Sequence, residues 1–131
     1  MIPAVLLAGC TASAPSGSYN GTLTVTLTGG PVVETTLANI QPDQDNVELF
    51  SMGSSTLHCA LQGTSWSDSV VHFDCATHQC FCTASSDDLT VTTASGTLSG
   101  DLLSLTFAGE VSTTTSAFSA TFMGTLVPGS R

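Results

Sequence analysis

The stretch Gly21-Thr-Leu-Thr-Val-Thr-Leu-Thr-Gly29 decides the fold class. Leu23, Val25 and Leu27 alternate with threonines, a period of two that places the apolar side chains on one face of an extended strand and the hydroxyls on the other. β-branched threonine suits the pleated, half-solvated face, and Gly29 opens a turn signal.

The same alternation recurs along the chain. "NVELFS" aligns Val47 with Leu49, "STLHCALQ" aligns Leu57, Cys59 and Leu61, and "SVVHFDC" aligns Val71, Phe73 and Cys75. "DLTVTT" offers Leu89 and Val91, "LLSLTFAG" offers Leu103, Leu105 and Phe107, and "AFSATFMGTL" offers Phe118, Phe122 and Leu126. With "VVETTLANI" and a short piece at "CFCTA", eight or nine strands are expected. Turn signals fall between them at Gly29–Pro31, Gln41–Asn46, Gly63–Asp68, Ser85–Asp88 and Ser99–Asp101. Trp66 is expected in the Gly63–Asp68 loop at a barrel mouth, either touching a ligand or tucked over the barrel end. "GTL" recurs at Gly21, Gly96 and Gly124 and reads as strand starts, not as a repeat array. No window carries an apolar 3.6 period of helix length. The pattern predicts an all-β chain, first an antiparallel up-and-down barrel of about eight strands, because closure removes exposed edges, and second a β-sandwich.

Length and charge bound the partners. At 131 residues one domain is expected, spanning 19–131. Charged residues make up 8%, against about 25% in an average domain, so serine and threonine carry the polar face. Ten acids face a single base, Arg131, and the net charge is −9. Nucleic acid is excluded as a partner, because its affinity rests on cations that displace phosphate counterions, and anionic lipid headgroups are excluded as a direct electrostatic partner for the same reason. A monomer is expected.

The first nine residues end in the apolar run "IPAVLLAG", too short for the about 20 residues that span a bilayer. The run reads as a truncated signal segment without its basic n-region. Leu7-Ala8-Gly9-Cys10 resembles the lipobox of bacterial lipoproteins. The resemblance implies cleavage before Cys10, lipidation of its thiol, residues 10–18 as lipidated cysteine and flexible tether, and an exported protein of the bacterial cell envelope (outer-membrane or surface lipoprotein) held to the membrane by that anchor. Gly17, Tyr19, Gly21, Leu23 and Val25, with "NVELF" and "GTLSGDLLSLTFAG", are similar to the calycin-type (lipocalin-like) β-barrel domains of bacterial lipoproteins, which implies a barrel and leaves the ligand open.

Four cysteines remain besides Cys10: Cys59, Cys75, Cys80 and Cys82. An even number in an exported chain implies two disulfides with three possible connectivities. Cys80–Cys82 is disfavoured, since residues two apart in a strand sit near the limit of bridgeable separation. Cys75 with Cys80 and Cys59 with Cys82 is the preferred pairing; the sequence does not choose.

His72, Cys75 and His78 are the alternative reading of this segment, as zinc ligands. Their spacing lacks the second distant pair of a zinc module, and an oxidising compartment favours disulfides, so no metal and no cofactor is expected. Asp43, Asp45, Asn46 and Glu48 are calcium-type oxygens without the glycine and distant glutamate of an EF-hand, and are expected to form an acidic turn. A zinc- or calcium-binding envelope protein stays as a third reading. No nucleophile–base constellation is legible: there is no G-x-S-x-G elbow, Ser65 has no base at a recognisable spacing, and the adjacent carboxylates Asp87 and Asp88 are expected in a solvated turn. No enzyme is expected. Two functions are carried forward: a barrel that binds a small apolar molecule lined by Leu49, Leu61, Phe73, Leu105 and Phe122, or a filled barrel that serves as a structural or protein-interaction module through its hydroxyl-rich surface.

Overall fold

The computed structural model describes residues 17–29, 32–50, 57–84, 87–112 and 116–129. Ten strands follow one another: β1 (Tyr19–Leu27), β2 (Val32–Ile40), β3 (Asn46–Phe50), β4 (Leu57–Gln62), β5 (Thr64–Ser67), β6 (Val70–Phe73), β7 (Phe81–Ala84), β8 (Asp87–Ser99), β9 (Leu102–Val111) and β10 (Ala117–Leu126). Eight of them run in the order β2-β1-β10-β9-β8-β7-β4-β3, every pairing antiparallel. Read round the circuit this is an up-and-down barrel, nearly closed, with the consecutive strands β2 and β3 at its two ends. The first and last strands complete it, pairing from Leu126 with Tyr19 to Phe118 with Leu27.

The one strand beyond those read from the sequence is β5, which forms with the expected β6 a hairpin inserted between β4 and β7. β5 and β6 pair with each other, and β6 docks on the far half of β8 through Val70–Thr97 and Val71–Gly96. β8, with 13 residues, therefore serves two neighbours on one edge, β7 at its start and β6 near its end. Gly63–Asp68, expected as a turn, is largely strand. Its turn shrinks to Asp68 and Ser69, and Asp68 adopts a left-handed φ of 55°, which aspartate tolerates. Asp87 and Asp88 likewise open β8 instead of forming a turn, because they sit opposite Ala84 and Thr83 in the ladder.

Alternation decides which side chains fill the interior. β9 and β10 alternate buried and more exposed positions almost without break, and Tyr19, Leu23, Leu49, Leu61, Leu103, Leu105, Phe118 and Phe122 join one continuous apolar cluster. Each fully buried leucine or phenylalanine contributes about 1.5–3 kcal/mol relative to exposure. The glycines of the "GTL" triplets are not all strand starts: Gly96 and Gly124 lie late in β8 and β10 and are buried. A Cβ on Gly124 would stand 2.6 Å from Phe122 Cζ, and one on Gly96 2.5 Å from Leu105 Cδ2, so the glycines make room for the large side chains beside them.

Outside, the rule reverses. The cross-strand row Ser95–Thr106–Thr121–Thr24 carries hydroxyls across four neighbouring strands. Apolar-in and polar-out is the opposite of a membrane-spanning barrel, whose outer band is apolar. No helix among the described residues is long and apolar enough to cross a membrane.

Candidate functional site

The disulfides brace one wall of the barrel. Cys59 of β4 stands opposite Cys82 of β7 in the ladder, both side chains point inward and are fully buried, and they are bonded. Cys75 and Cys80 close the loop between β6 and β7, their Cα atoms 5.2 Å apart. This is the preferred pairing of the sequence reading. Cys75 lies in a turn after β6, half-buried against the core, and Cys80 is buried with its Sγ accepting the Gln62 N–H at 3.3 Å.

The alternative zinc set does not come together. The Cys75 sulfur is held in a disulfide and is no thiolate. His72 points to solvent from β6, opposite Ser65 and Ser95. His78 lies in the loop, its Nδ1 3.6 Å from Asp74 Oδ2 and 3.3 Å from Thr77 Oγ1. Among the described residues no group of three His, Cys, Asp or Glu side chains is arranged to hold a metal ion. The Thr77 hydroxyl, and then the Thr77 N–H, donate to the Asp74 carboxylate and hold its pKa below the ordinary 3.8, with a smaller pull from His78.

The calcium-type oxygens are dispersed in the same way. Asp43 accepts a hydrogen bond from the neighbouring Gln44 side chain, and Glu48 Oε1 is 3.1 Å from His58 Nε2. Asp45 works through its main chain, its carbonyl accepting the Gly63 N–H and the Thr64 hydroxyl, which pins the 41–45 loop to β5. Trp66 completes that fastening. It lies on β5, packs half-buried on the core, and its Nε1 donates to the Pro42 carbonyl at 2.9 Å, so of the two expected roles it takes the tuck over the barrel end.

The five expected lining residues are all in the central cluster. Leu49, Leu61 and Phe122 are 0% exposed, Leu105 1% and Phe73 8%. None of them lines four surface depressions of the described residues, which are bordered instead by residues such as Phe81, Gln62, Thr106 and Asn46. Cys10 and residues 11–16 lie outside the described residues.

The outer wall over β3, β4 and β7 holds what sequence reading passed over. Phe50, His58 and Phe81 form a row of rings edge to face, with centroids 5.4 Å and 5.9 Å apart, and Phe50 is 42% exposed. Beside Phe81 a groove of about 360 Å³ opens between β7 and β8. The signal was present in strand parity: with Val47 and Leu49 facing in, Phe50 must face out, and with Cys80 and Cys82 facing in, so must Phe81.

What fold and wall define together is a small, disulfide-braced, up-and-down β-barrel, nearly closed, with a buried apolar cluster inside. Compared with protein-family models, characterised proteins and solved structures, the chain has no significant match.

Proposed function

We propose that the protein is a lipid-anchored, exported envelope protein whose barrel is a filled scaffold and whose outer surface does the work, as a structural or interaction module without catalysis. One observation carries the choice between the two functions: the five side chains that would line a ligand chamber are instead packed into one another and into the rest of the core. An eight-stranded barrel is just wide enough for side chains to fill it, and the burial of these five side chains supports a filled interior. The two disulfides support export, because such bonds persist in oxidising compartments. The Leu7–Cys10 motif supports the anchor on Cys10. The likeness to calycin-type domains enters as architecture alone, since a shared barrel does not carry a shared ligand.

Native mass spectrometry of the protein purified from its own envelope tests this reading. The expected result is the chain from Cys10 onward, heavier by a diacylglycerol-type modification, lighter by four protons for the two disulfides, and carrying no apolar small molecule that mild denaturation removes. A removable apolar molecule in stoichiometric amount overturns the filled scaffold. An unmodified Cys10, or a Cys10→Ala variant that still fractionates with membranes, overturns the anchor.

A further inference from the structure

We infer that the outer groove between β7 and β8 is a binding site for an amine-bearing sugar, a hexosamine unit whose ammonium meets Asp88 and whose ring lies against Phe81. This rests on the reading that the outer surface, not the interior, is the working part.

The groove is built from two cross-strand pairs. Phe81 stands opposite Thr90 and Thr83 opposite Asp88, all four on the outward face, where directly opposed residues are about 5 Å apart. Gln79 adds a carboxamide at one end. Ser112 closes the other, because its N–H donates to the Asp88 carbonyl at 2.9 Å and its hydroxyl lies 3.3 Å from that of Thr90. One aromatic wall, three hydroxyls, an amide and a carboxylate thus converge on a space of about 360 Å³, at the lower end of the range of about 300–1,000 Å³ for small-molecule sites.

Each group matches a part of a hexosamine. The hydroxyls and the amide both donate and accept, as sugar hydroxyls do. The negative face of an aromatic ring attracts the weakly positive C–H groups of a pyranose and attracts a cation more strongly. Charge selects the amine. Asp88 takes part in no ion pair among the described residues, the sequence holds no lysine, and a net charge of −9 draws cations toward the surface and repels acidic sugars.

The site is also rigid, which separates it from a chance surface dent. β7 is only four residues long, yet both residues that flank Phe81 in sequence are disulfide-bonded, Cys80 to Cys75 in the preceding turn and Cys82 to Cys59 of β4. The Cys80 carbonyl accepts the Val91 N–H at 3.1 Å, extending the ladder to β8. Phe81 is further held by the edge-to-face contact with His58, itself bound to Glu48. The bonds of the interior side of β7 therefore fix the positions of the outward side chains, so little ordering entropy is left to lose on binding.

The test is an NMR titration of the oxidised, isotope-labelled protein with glucosamine, glucose and N-acetylglucosamine, at a pH where the free amine is protonated. The expected result is saturable shifts at the amides of Phe81, Thr83, Asp88, Thr90 and Ser112, with glucosamine binding about tenfold more tightly than the two neutral sugars, one charge-assisted hydrogen bond's worth. That preference disappears in Asp88→Asn, an exposed substitution whose spectrum also reports whether the fold is kept. No saturable shift, equal affinity for all three sugars, or a preference that survives Asp88→Asn overturns the assignment and leaves the filled scaffold standing. Shifts concentrated at Leu49, Leu105 and Phe122 instead overturn the scaffold reading itself.

Discussion

Breaking the two disulfides one at a time should cost unequal amounts, and the order follows from the topology. Cys59 and Cys82 are 23 residues apart in sequence, Cys75 and Cys80 only 5. In the chain-entropy account a crosslink removes about 2.1 + 1.5R ln n cal/mol/K from the unfolded ensemble, which at 25 °C gives about 3.4 kcal/mol for the longer ring and about 2.1 kcal/mol for the shorter one. Burial acts in the same direction. Both sulfurs of the longer bridge are in the core, whereas Cys75 is half-exposed, so alanine pairs leave the larger void at Cys59 and Cys82. The assay is urea unfolding of Cys59→Ala/Cys82→Ala and of Cys75→Ala/Cys80→Ala, each with the other bridge intact, followed by Trp66 fluorescence. Trp66 is the single tryptophan and packs on the core, so it reports global unfolding. With a slope of about 1.5 kcal/mol/M the two midpoints should lie about 0.9 M apart, the Cys59/Cys82 variant unfolding first. Equal midpoints, or the reverse order, would refute the argument that ring size and burial govern these bonds.

Two further outcomes follow from particular side chains. Tyr19 is fully buried, and among the described residues its hydroxyl has no hydrogen-bond partner, so Tyr19→Phe should stabilise the fold by about 1–2 kcal/mol; a loss of stability in the same urea assay would mean that the hydroxyl is bonded in the native state. The Asp74 carboxyl should titrate below 3.8 in an NMR pH series and move up toward that value in Thr77→Val, because the Thr77 hydroxyl and N–H favour the ionised form. A carboxyl whose folded pKa is lowered contributes its stability above the unfolded value and loses it as pH falls through the lowered one, so any effect of Thr77→Val on unfolding belongs above about pH 4 and fades in more acidic solution; an unshifted Asp74 titration in the variant sinks this account.

How far the fold was legible depended on the range of the forces involved. The threonine alternation of Tyr19–Leu27 sets a period of two whatever surrounds it, and so do the patterns around Val47, Leu103 and Phe122; strand class, inward set and the absence of an apolar helical period are local properties of the chain. The hairpin Thr64–Phe73 was half hidden, because "GTSWSD" has the composition of a turn and is held extended by pairing with β6 and by the bond from Trp66 to Pro42. Turn propensity lost to a ladder there. The glycines of the "GTL" triplets show the same limit, since only the neighbouring Phe122 and Leu105 reveal what the missing side chains make room for.

The sequence by itself determined the chemistry available: a hydroxyl-rich, nearly base-free surface, an even set of cysteines besides Cys10, and alternating strands enough to close a barrel. Only the tertiary structure decided how that chemistry is placed. It opposed Cys59 to Cys82, buried Leu49, Leu61, Phe73, Leu105 and Phe122 in one apolar cluster, and set Phe81, Thr83, Asp88, Thr90 and Ser112 around one groove. Period and composition act through neighbours in sequence, whereas whether an eight-stranded barrel is hollow or full depends on side-chain volumes summed across strands far apart in the chain, such as Tyr19 beside Leu126.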